Sequence, residues 1–404
     1  MKRLLDSIRG YLRYRRERLD IVVWMAECPF TDAVVDQISA RKPNSMVIAA
    51  GLFHGQVYAY RPPGVALSRY PFLNILTWKC RSARLAYLFY PLFMILSYPV
   101  LFSFYLWLGL RFRVRSILIF DHQQAVMAGL LRRLGLFRRV VYFTGDWYPG
   151  SSFLKGIWTR LNNEVYFPAL DWLACKLCDV TINQTVFVEE GRKKYWGRQV
   201  SRTEVGFQPP LVVKTSNGAA NPQSRKLAFL GAARPDSGLD LVVRALPRVR
   251  EQIGDVSLKI IGPPSDTIDK VMKLAKELGV ASSVEYLGVG DYATFATILA
   301  DCYCGVNMIS DPNSYSARAI PAKILDYLQY LLPPLVTAGV GVFGDAVREH
   351  KLGLVIAPTV DATVDGLVEV FKSRAFFVQN IRTFIKERSS TDLVELLCPE
   401  SDSK

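Results

Sequence analysis

The chain lacks an Asp-x-Asp pair at any strand end, so nothing in it calls for a divalent metal ion. It lacks zinc-finger, RNA-recognition and helix-turn-helix signatures, which ranks nucleic acid below other anionic partners. No internal repeat is visible, which excludes solenoids and propellers. The amino terminus lacks the continuous apolar core of a signal peptide. Cysteines are few and odd in number, seven in all, which suits a reducing cytosol. Cys175-x-x-Cys178 lies in an apolar helical stretch and Cys302-x-Cys304 opens a strand pattern. Both pairs read as small buried hydrophobes rather than zinc ligands.

What is present is apolar and basic. Hydrophobic residues make up 50% of the 404 and aromatics 12%, enough for two domains with separate cores. The formal net charge of +14 calls for an anionic partner, either a membrane surface or a phosphorylated substrate. Residues 85–110 contain no charge, a length and composition that suit a membrane segment. Pro91 and Pro99 interrupt the run, and arginines flank both ends (Arg81, Arg84; Arg111, Arg113, Arg115). By the positive-inside rule both flanks are cytosolic, so a re-entrant or in-plane insertion is expected rather than a span; a buried pair of core helices is the alternative. Residues 1–18 read as a basic amphipathic helix suited to an anionic bilayer, with Leu4, Leu5, Ile8 and Leu12 opposite the arginines. The localisation this implies is the cytoplasmic face of a membrane, peripheral or monotopic.

Strand-like segments over 19–26, 46–50, 73–78, 116–120, 140–143 and 180–183 alternate with helical ones in the first half. The Pro-, Gly- and Asn-rich stretch 209–225 reads as a linker. Strands over 227–230, 256–262, 284–287, 304–309, 335–338 and 354–357 then alternate with helices. The fold class is α/β, two doubly wound domains, with ligands expected beyond the carboxyl ends of the strands. The boundaries are 1–208 for a first domain holding the apolar segment 85–110, 209–225 for the linker, 226–375 for a second domain, and 376–404 for a terminal helix and tail.

The most informative stretch runs from Arg318 through Pro321, Lys323, Asp326 and Tyr327 into Pro334-Leu-Val-Thr. Pro321 suits a first helical turn, whose free N–H groups attract an anion, and Lys323 adds a full positive charge. Asp326 follows one turn later. Such a helix suits a nucleotide diphosphate, with the lysine at the phosphates and the carboxylate at the ribose. A solvated i,i+3 ion pair is the alternative.

Gly231-Ala-Ala-Arg234, then Gly238-Leu-Asp-Leu and Ile260-Ile-Gly262, taken with Pro321-x-Lys323-x-x-Asp326-Tyr327, resemble the nucleotide-sugar domain of GT-B glycosyltransferases. The likeness covers about residues 226–358 well and the first half in outline. It implies two Rossmann-like domains and a nucleotide diphosphate sugar as substrate, with no separate cofactor. Gly231, Arg234, Lys323 and Asp326 would then form the donor site. Arg318 stands where the retaining branch has Glu; it is either a solvated helix-start residue or a partner for an acidic sugar. The lysine that often follows the Gly-x-x-Arg turn is also missing. Asp146, after the strand ending in Phe143-Thr-Gly, is the candidate base, and His122 after the preceding strand is a second. The layout resembles membrane-associated glucuronosyltransferases of bacterial polysaccharide assembly, which implies a lipid-linked glycan acceptor. A nucleotide-sugar epimerase and a catalytically idle membrane scaffold are the rival readings.

Overall fold

The computed structural model describes residues 17–25, 37–38, 40–42, 44–51, 56–60, 98–99, 101–145, 147–150, 157–201, 203–206, 208, 211–214, 225–289, 292–311, 322–338 and 340–399, excepting positions 43 and 339. The chain divides into two units. One holds Met1–Pro149, Leu154–Pro209 and Thr391–Lys404; the other holds Gly150–Phe153 and Pro210–Ser390.

Unit 1 is built on strands β1 (Glu17–Met25), β2 (Met46–Gly51), β3 (Gln56–Tyr60), β4 (Phe112–Ile119), β5 (Phe137–Thr144), β6 (Val180–Asn183) and β7 (Glu204–Gly206). Their order is β3-β2-β1-β4-β5-β6-β7, parallel except for β3, which pairs antiparallel with β2. The central strands are near-continuous apolar runs because both faces are covered. One face packs on α1 (101–111), α2 (His122–Arg133) and α4 (Phe167–Leu177), the last preceded by α3 (Ile157–Leu161) and a π-turn over Asn162–Tyr166. α5 (Val186–Trp196) follows β6.

Unit 2 has six parallel strands: β8 (Lys226–Leu230), β9 (Ser257–Ile261), β10 (Val284–Gly288), β11 (Cys304–Asn307), β12 (Pro334–Thr337) and β13 (Leu354–Ile356). Their order is β10-β9-β8-β11-β12-β13, with the winding reversing between β8 and β11. Its helices are α6 (Leu239–Ile253), α7 (Asp266–Glu277), α8 (Tyr292–Ala300), α9 (Ala322–Gln329), α10 (Gly341–Glu349), α11 (Val360–Lys372) and α12 (Arg374–Glu387). α6 buries Leu239, Val242, Val243, Leu246 and Val249 along one stripe, the 3.6-residue period of a core-facing helix. α7 starts where the Ser265 hydroxyl accepts from the Ile268 N–H, with Asp266 and Asp269 complementing the helix dipole.

Several elements differ from the sequence expectation. β3 and β7 were not anticipated: each is a short edge strand, β3 pairing antiparallel with β2 and β7 parallel with β6. The last helix, α13 (Leu393–Leu397), returns to unit 1, where Leu393, Val394 and Leu397 cover the second face of the sheet beside Ile21, Leu118, Val141 and Ile182. The Ser116 hydroxyl donates to the Leu397 carbonyl and Arg139 donates to that of Leu396 at 3.0 Å. Of the amphipathic helix expected over 1–18, residues 17 and 18 instead open β1; residues 1–16 and the expected strand 73–78 lie outside the described residues. Within the apolar run 85–110, only 98–99 and 101–110 are described, and they are helical. Leu101, Phe104, Tyr105 and Leu108 are buried in the core of unit 1, so that face of the run packs on protein. Among the described residues, no helix is long and apolar enough to cross a membrane.

Candidate functional site

In a doubly wound sheet, neighbouring loops part where the winding reverses, and a crevice opens at the carboxyl ends of the strands. In unit 2 that point lies between β8 and β11. Their register pairs Leu227 with Cys304 and Ala228 with Gly305. Beyond it the Tyr327 hydroxyl bridges the two strands, accepting from the Leu230 N–H at 3.0 Å and donating to the Val306 carbonyl at 3.2 Å. Tyr327 comes this close only because residue 305 is glycine; a Cβ there would lie 2.2 Å from the tyrosine ring. The tyrosine of the Lys-x-x-Asp-Tyr motif thus anchors α9 to the switch point.

The loop after β8 closes on the end of β11. Gly231 turns out of the strand at φ 95° and Gly238 begins α6 at φ 61°, both in the left-handed region that favours glycine. Gly238 is also crowded, since a Cβ would sit 2.3 Å from the Met308 carbonyl oxygen. The Ser310 N–H donates to the Asp236 carbonyl at 3.0 Å, zipping the loop to the strand end. This folding carries Arg234 toward Lys323, in the first turn of α9. Lys323 lies over the Phe229 ring, its ammonium 4.5 Å from the centroid. Burial first, and then the nearby Arg234 charge, lower the Lys323 pKa to about 8, with Asp236 opposing both. Two like charges held together at a helix start form a site for an anion.

Asp326 does not pair with Lys323. It is 7% exposed, its Oδ1 has no hydrogen-bond partner, and the charge that moderates it is Lys214. Burial raises its pKa to about 7, Lys214 opposing. Lys214 is brought there by the incoming chain, whose N–H donates to the Gln329 carbonyl at the end of α9 at 2.9 Å. The solvated ion pair considered from spacing is therefore replaced by two separate environments, an enclosed lysine and a buried carboxylate.

Two further polar groups accompany them. Ser237 Oγ and Asn307 Nδ2 are buried, 8% and 1% exposed by residue, and neither has a hydrogen-bond partner. Ser237 stands where the resemblance led us to expect a lysine, and its neighbour Gly238 touches Met308, the residue after Asn307. Buried polar atoms without partners are rare in native folds, and several at one switch point mark a place for a ligand. Asn307 sits in an apolar strand and is inconspicuous there; an amide at the end of a buried β-strand was the available signal. Arg318 lies outside the described residues.

In unit 1, Asp146 lies outside the described residues. His122 begins α2, just beyond the carboxyl end of β4. Asp121 caps that helix, accepting from the Gln124 N–H at 3.0 Å, and lies 3.8 Å from His122 Nδ1. The His122 ring meets the edge of Phe167 at 5.0 Å between centroids, and Phe167 meets Trp147 at 5.8 Å and Tyr148 at 4.9 Å. The start of α2 and the loop after β5 thus converge on Phe167. The five described free cysteines are buried, and burial pushes the thiols of Cys175, Cys302 and Cys304 up to about 12, where they are inert at neutral pH. Among the described residues no group of acidic, histidine and cysteine side chains could hold a metal ion.

Two α/β units, each with a doubly wound and largely parallel sheet, are the architecture of the GT-B fold. The fold agrees over nearly the whole chain with HepE of Anabaena, a structure solved with UDP and glucose, at TM-score 0.63 and 13% identity over 95% of this chain and 99% of that one. It agrees likewise with sucrose-phosphate synthase of Thermosynechococcus elongatus, at TM-score 0.63 and 13% identity over 95% and 97% of the two chains. WaaG, a glycosyltransferase of lipopolysaccharide biosynthesis, superposes at TM-score 0.52 with 16% identity over 74% and 94%. Residues 215–388 match the family described as glycosyl transferases group 1. By fold the chain is of the GT-B type, and its residues 215–388 are similar to glycosyl transferases group 1. In sequence it is similar to the D-inositol 3-phosphate glycosyltransferase of Mycobacterium marinum, 29% identical over 42% of this chain and 33% of that relative. That of Rhodococcus opacus is 26% identical over 34% and 30%. The chain spans about a third of the length of these curated relatives.

Proposed function

We propose that the protein transfers a sugar from a nucleotide diphosphate sugar to a lipid-linked or polysaccharide acceptor at the cytosolic face of a membrane. The observation that carries the donor half is the Arg234–Lys323 pair at the switch point of unit 2. The lysine is held to a pKa of about 8 by burial and by the arginine, an arrangement that a bound diphosphate relieves. In this reading Gly231 lets the backbone approach the phosphates, and the buried Asp326 carboxylate accepts from ribose hydroxyls. Ser237 and Asn307 supply neutral hydrogen bonds where a second lysine is absent. At position 318, where the resemblance has a carboxylate that contacts the sugar, an arginine suits a carboxylated sugar.

In the transfer step the acceptor oxygen attacks the anomeric carbon as the bond from that carbon to the diphosphate oxygen breaks. The acceptor proton passes to a base in unit 1, Asp146 or His122. The diphosphate leaves with its growing charge matched by Arg234, Lys323 and the start of α9. The acceptor half rests on the uncharged run 85–110 and the net charge of +14.

A screen of nucleotide sugars against membrane extract, read by mass spectrometry, tests the whole reaction. Mass gain of one sugar on a lipid fraction is the expected result. Interconversion of the nucleotide sugar without an acceptor would instead favour an epimerase, and no turnover together with no nucleotide binding would favour a scaffold.

A further inference from the structure

Helix α1 is apolar on both sides, and among the described residues only one side is buried. It carries no charge before Arg111. Opposite the buried Leu101, Phe104, Tyr105 and Leu108 lie Phe102, Leu106 and Leu110, at i, i+4 and i+8. Phe102 is 38% exposed and Leu110 43%, while Leu106 is partly buried. A helix apolar all round belongs in a core or in lipid, and half of this one has neither.

The buried side of α1 also packs on α2 and the turn that follows it. The Tyr105 hydroxyl donates to Gln124 Oε1 at 2.7 Å, and a Cβ on Gly109 would lie 2.9 Å from that of Leu136. The carboxyl end of α1 therefore abuts the turn after α2, where Leu130 is 44% exposed and Leu134 59%. Arg111, Arg113, Arg133 and Arg138 are exposed around these side chains, and neither 98–120 nor 122–139 contains an Asp or Glu. Glu17, the first residue of β1, is paired in register with Phe112, which follows α1 directly. Residues 1–16, joined there, hold Lys2, Arg3, Arg9, Arg13, Arg15 and Arg16 against Asp6.

We propose that this face is an in-plane docking surface for an anionic lipid bilayer. Phe102, Leu110, Leu130 and Leu134 enter the boundary between head groups and acyl chains, and the four arginines meet lipid phosphates. The inference rests on the membrane-borne acceptor proposed above and adds which surface meets the membrane. An in-plane helix needs only one apolar face and moderate length, so it agrees with the absence of a crossing helix among the described residues. Charge complementarity selects lipid over a second copy of the chain, because a symmetric dimer through this face would bring the arginine clusters together.

The test is flotation of the full chain with phosphatidylcholine vesicles, with and without roughly one-third phosphatidylglycerol. Wild type is expected to float with the anionic vesicles and to lose most binding on the neutral ones. Leu130→Glu/Leu134→Glu and Arg133→Glu/Arg138→Glu are each expected to lower partitioning by about tenfold or more. Unchanged circular dichroism melting in these variants shows that folding is intact, and the single Leu134→Ser serves where a double variant does not fold. Variants that float like wild type would overturn this surface while leaving membrane association standing. A wild-type dimer that Leu134→Ser dissociates would assign the face to a second copy instead. A wild type that floats with neither vesicle would overturn the surface and the membrane-borne acceptor together, and nucleotide binding in unit 2 would still be measured independently.

Discussion

Each unit has a buried charged centre at the carboxyl side of its sheet, and the two are built on opposite principles. In unit 1, Arg192 and Asp171 are almost wholly enclosed and form a two-pronged pair, Nε to Oδ2 at 2.6 Å and NH2 to Oδ1 at 2.7 Å. Asn183 accepts from the third arm of the guanidinium at 2.6 Å, and the Tyr142 hydroxyl donates to Asp171 at 2.9 Å. Burial disfavours the guanidinium charge, but Asp171 more than offsets it and holds the pKa above its ordinary value. In unit 2, Arg234 and Lys323 repel, Asp326 is pushed toward neutrality, and Ser237 Oγ, Asn307 Nδ2 and Asp326 Oδ1 have no partners. The Arg192–Asp171 pair neutralises its own charges and fastens elements together, with Asn183 Nδ2 and Glu204 Oε2 the atoms beside it that lack partners. In unit 2 the charges repel instead, and in the function proposed above a diphosphate offsets that repulsion.

The comparison is broken most forcefully in unit 1. Asp171→Ala strands a buried guanidinium and is expected to lower stability by about 3–5 kcal/mol in urea denaturation, with nucleotide affinity of the folded fraction unchanged. In unit 2 the signs reverse. Lys323→Ala is expected to weaken uridine diphosphate by about 1.5–3 kcal/mol in calorimetry, the range for a hydrogen bond to a charged group, while stability holds or rises. Tyr327→Phe strands the Leu230 N–H and the Val306 carbonyl and should cost about 1–3 kcal/mol of stability. Asn307→Leu removes a buried Nδ2 that has no partner, so thermal stability should stay level or rise while nucleotide affinity falls.

The pH dependence separates the two charged groups of α9. Lys323 titrates at about 8 in the fold against an ordinary 10.5, so the unfolded chain binds more protons between these values and its contribution to stability rises with pH across that window. Asp326 titrates at about 7 against 3.8, so the folded chain binds more protons and its contribution is lost as pH rises through that interval. Lys323→Met is expected to flatten the alkaline limb and Asp326→Asn the acidic one, read as denaturation midpoints against pH. A shared limb lost in both variants would show that the residues act as one pair after all.

How far the sequence reveals this depends on the range of the interaction involved. Arg234, Lys323 and Asp326 were legible because a charge at a strand end or in a first helical turn is a local signal, and β6 and β8 were legible as apolar runs bounded by turns. The separation of Lys323 from Asp326 was not, since it depends on Lys214 arriving from more than a hundred positions away in the chain. Asn307 was hidden by its apolar strand neighbours, and the return of α13 to unit 1 leaves no mark in a short Leu-rich segment. The uncharged run 85–110 was conspicuous, but a helix without polar residues has no periodicity to show which side meets protein. Only packing distinguishes Phe104 from Phe102.

Calorimetric titration of the full chain with uridine diphosphate at about pH 8.5, in two buffers of different ionisation enthalpy, tests the central claim most directly. If the Arg234–Lys323 pair takes the diphosphate, binding is one to one and draws about half a proton or more from buffer as Lys323 becomes fully charged, and Lys323→Ala abolishes the uptake. No heat with the nucleotide, or binding with no proton uptake that Lys323→Ala leaves unchanged, would contradict it.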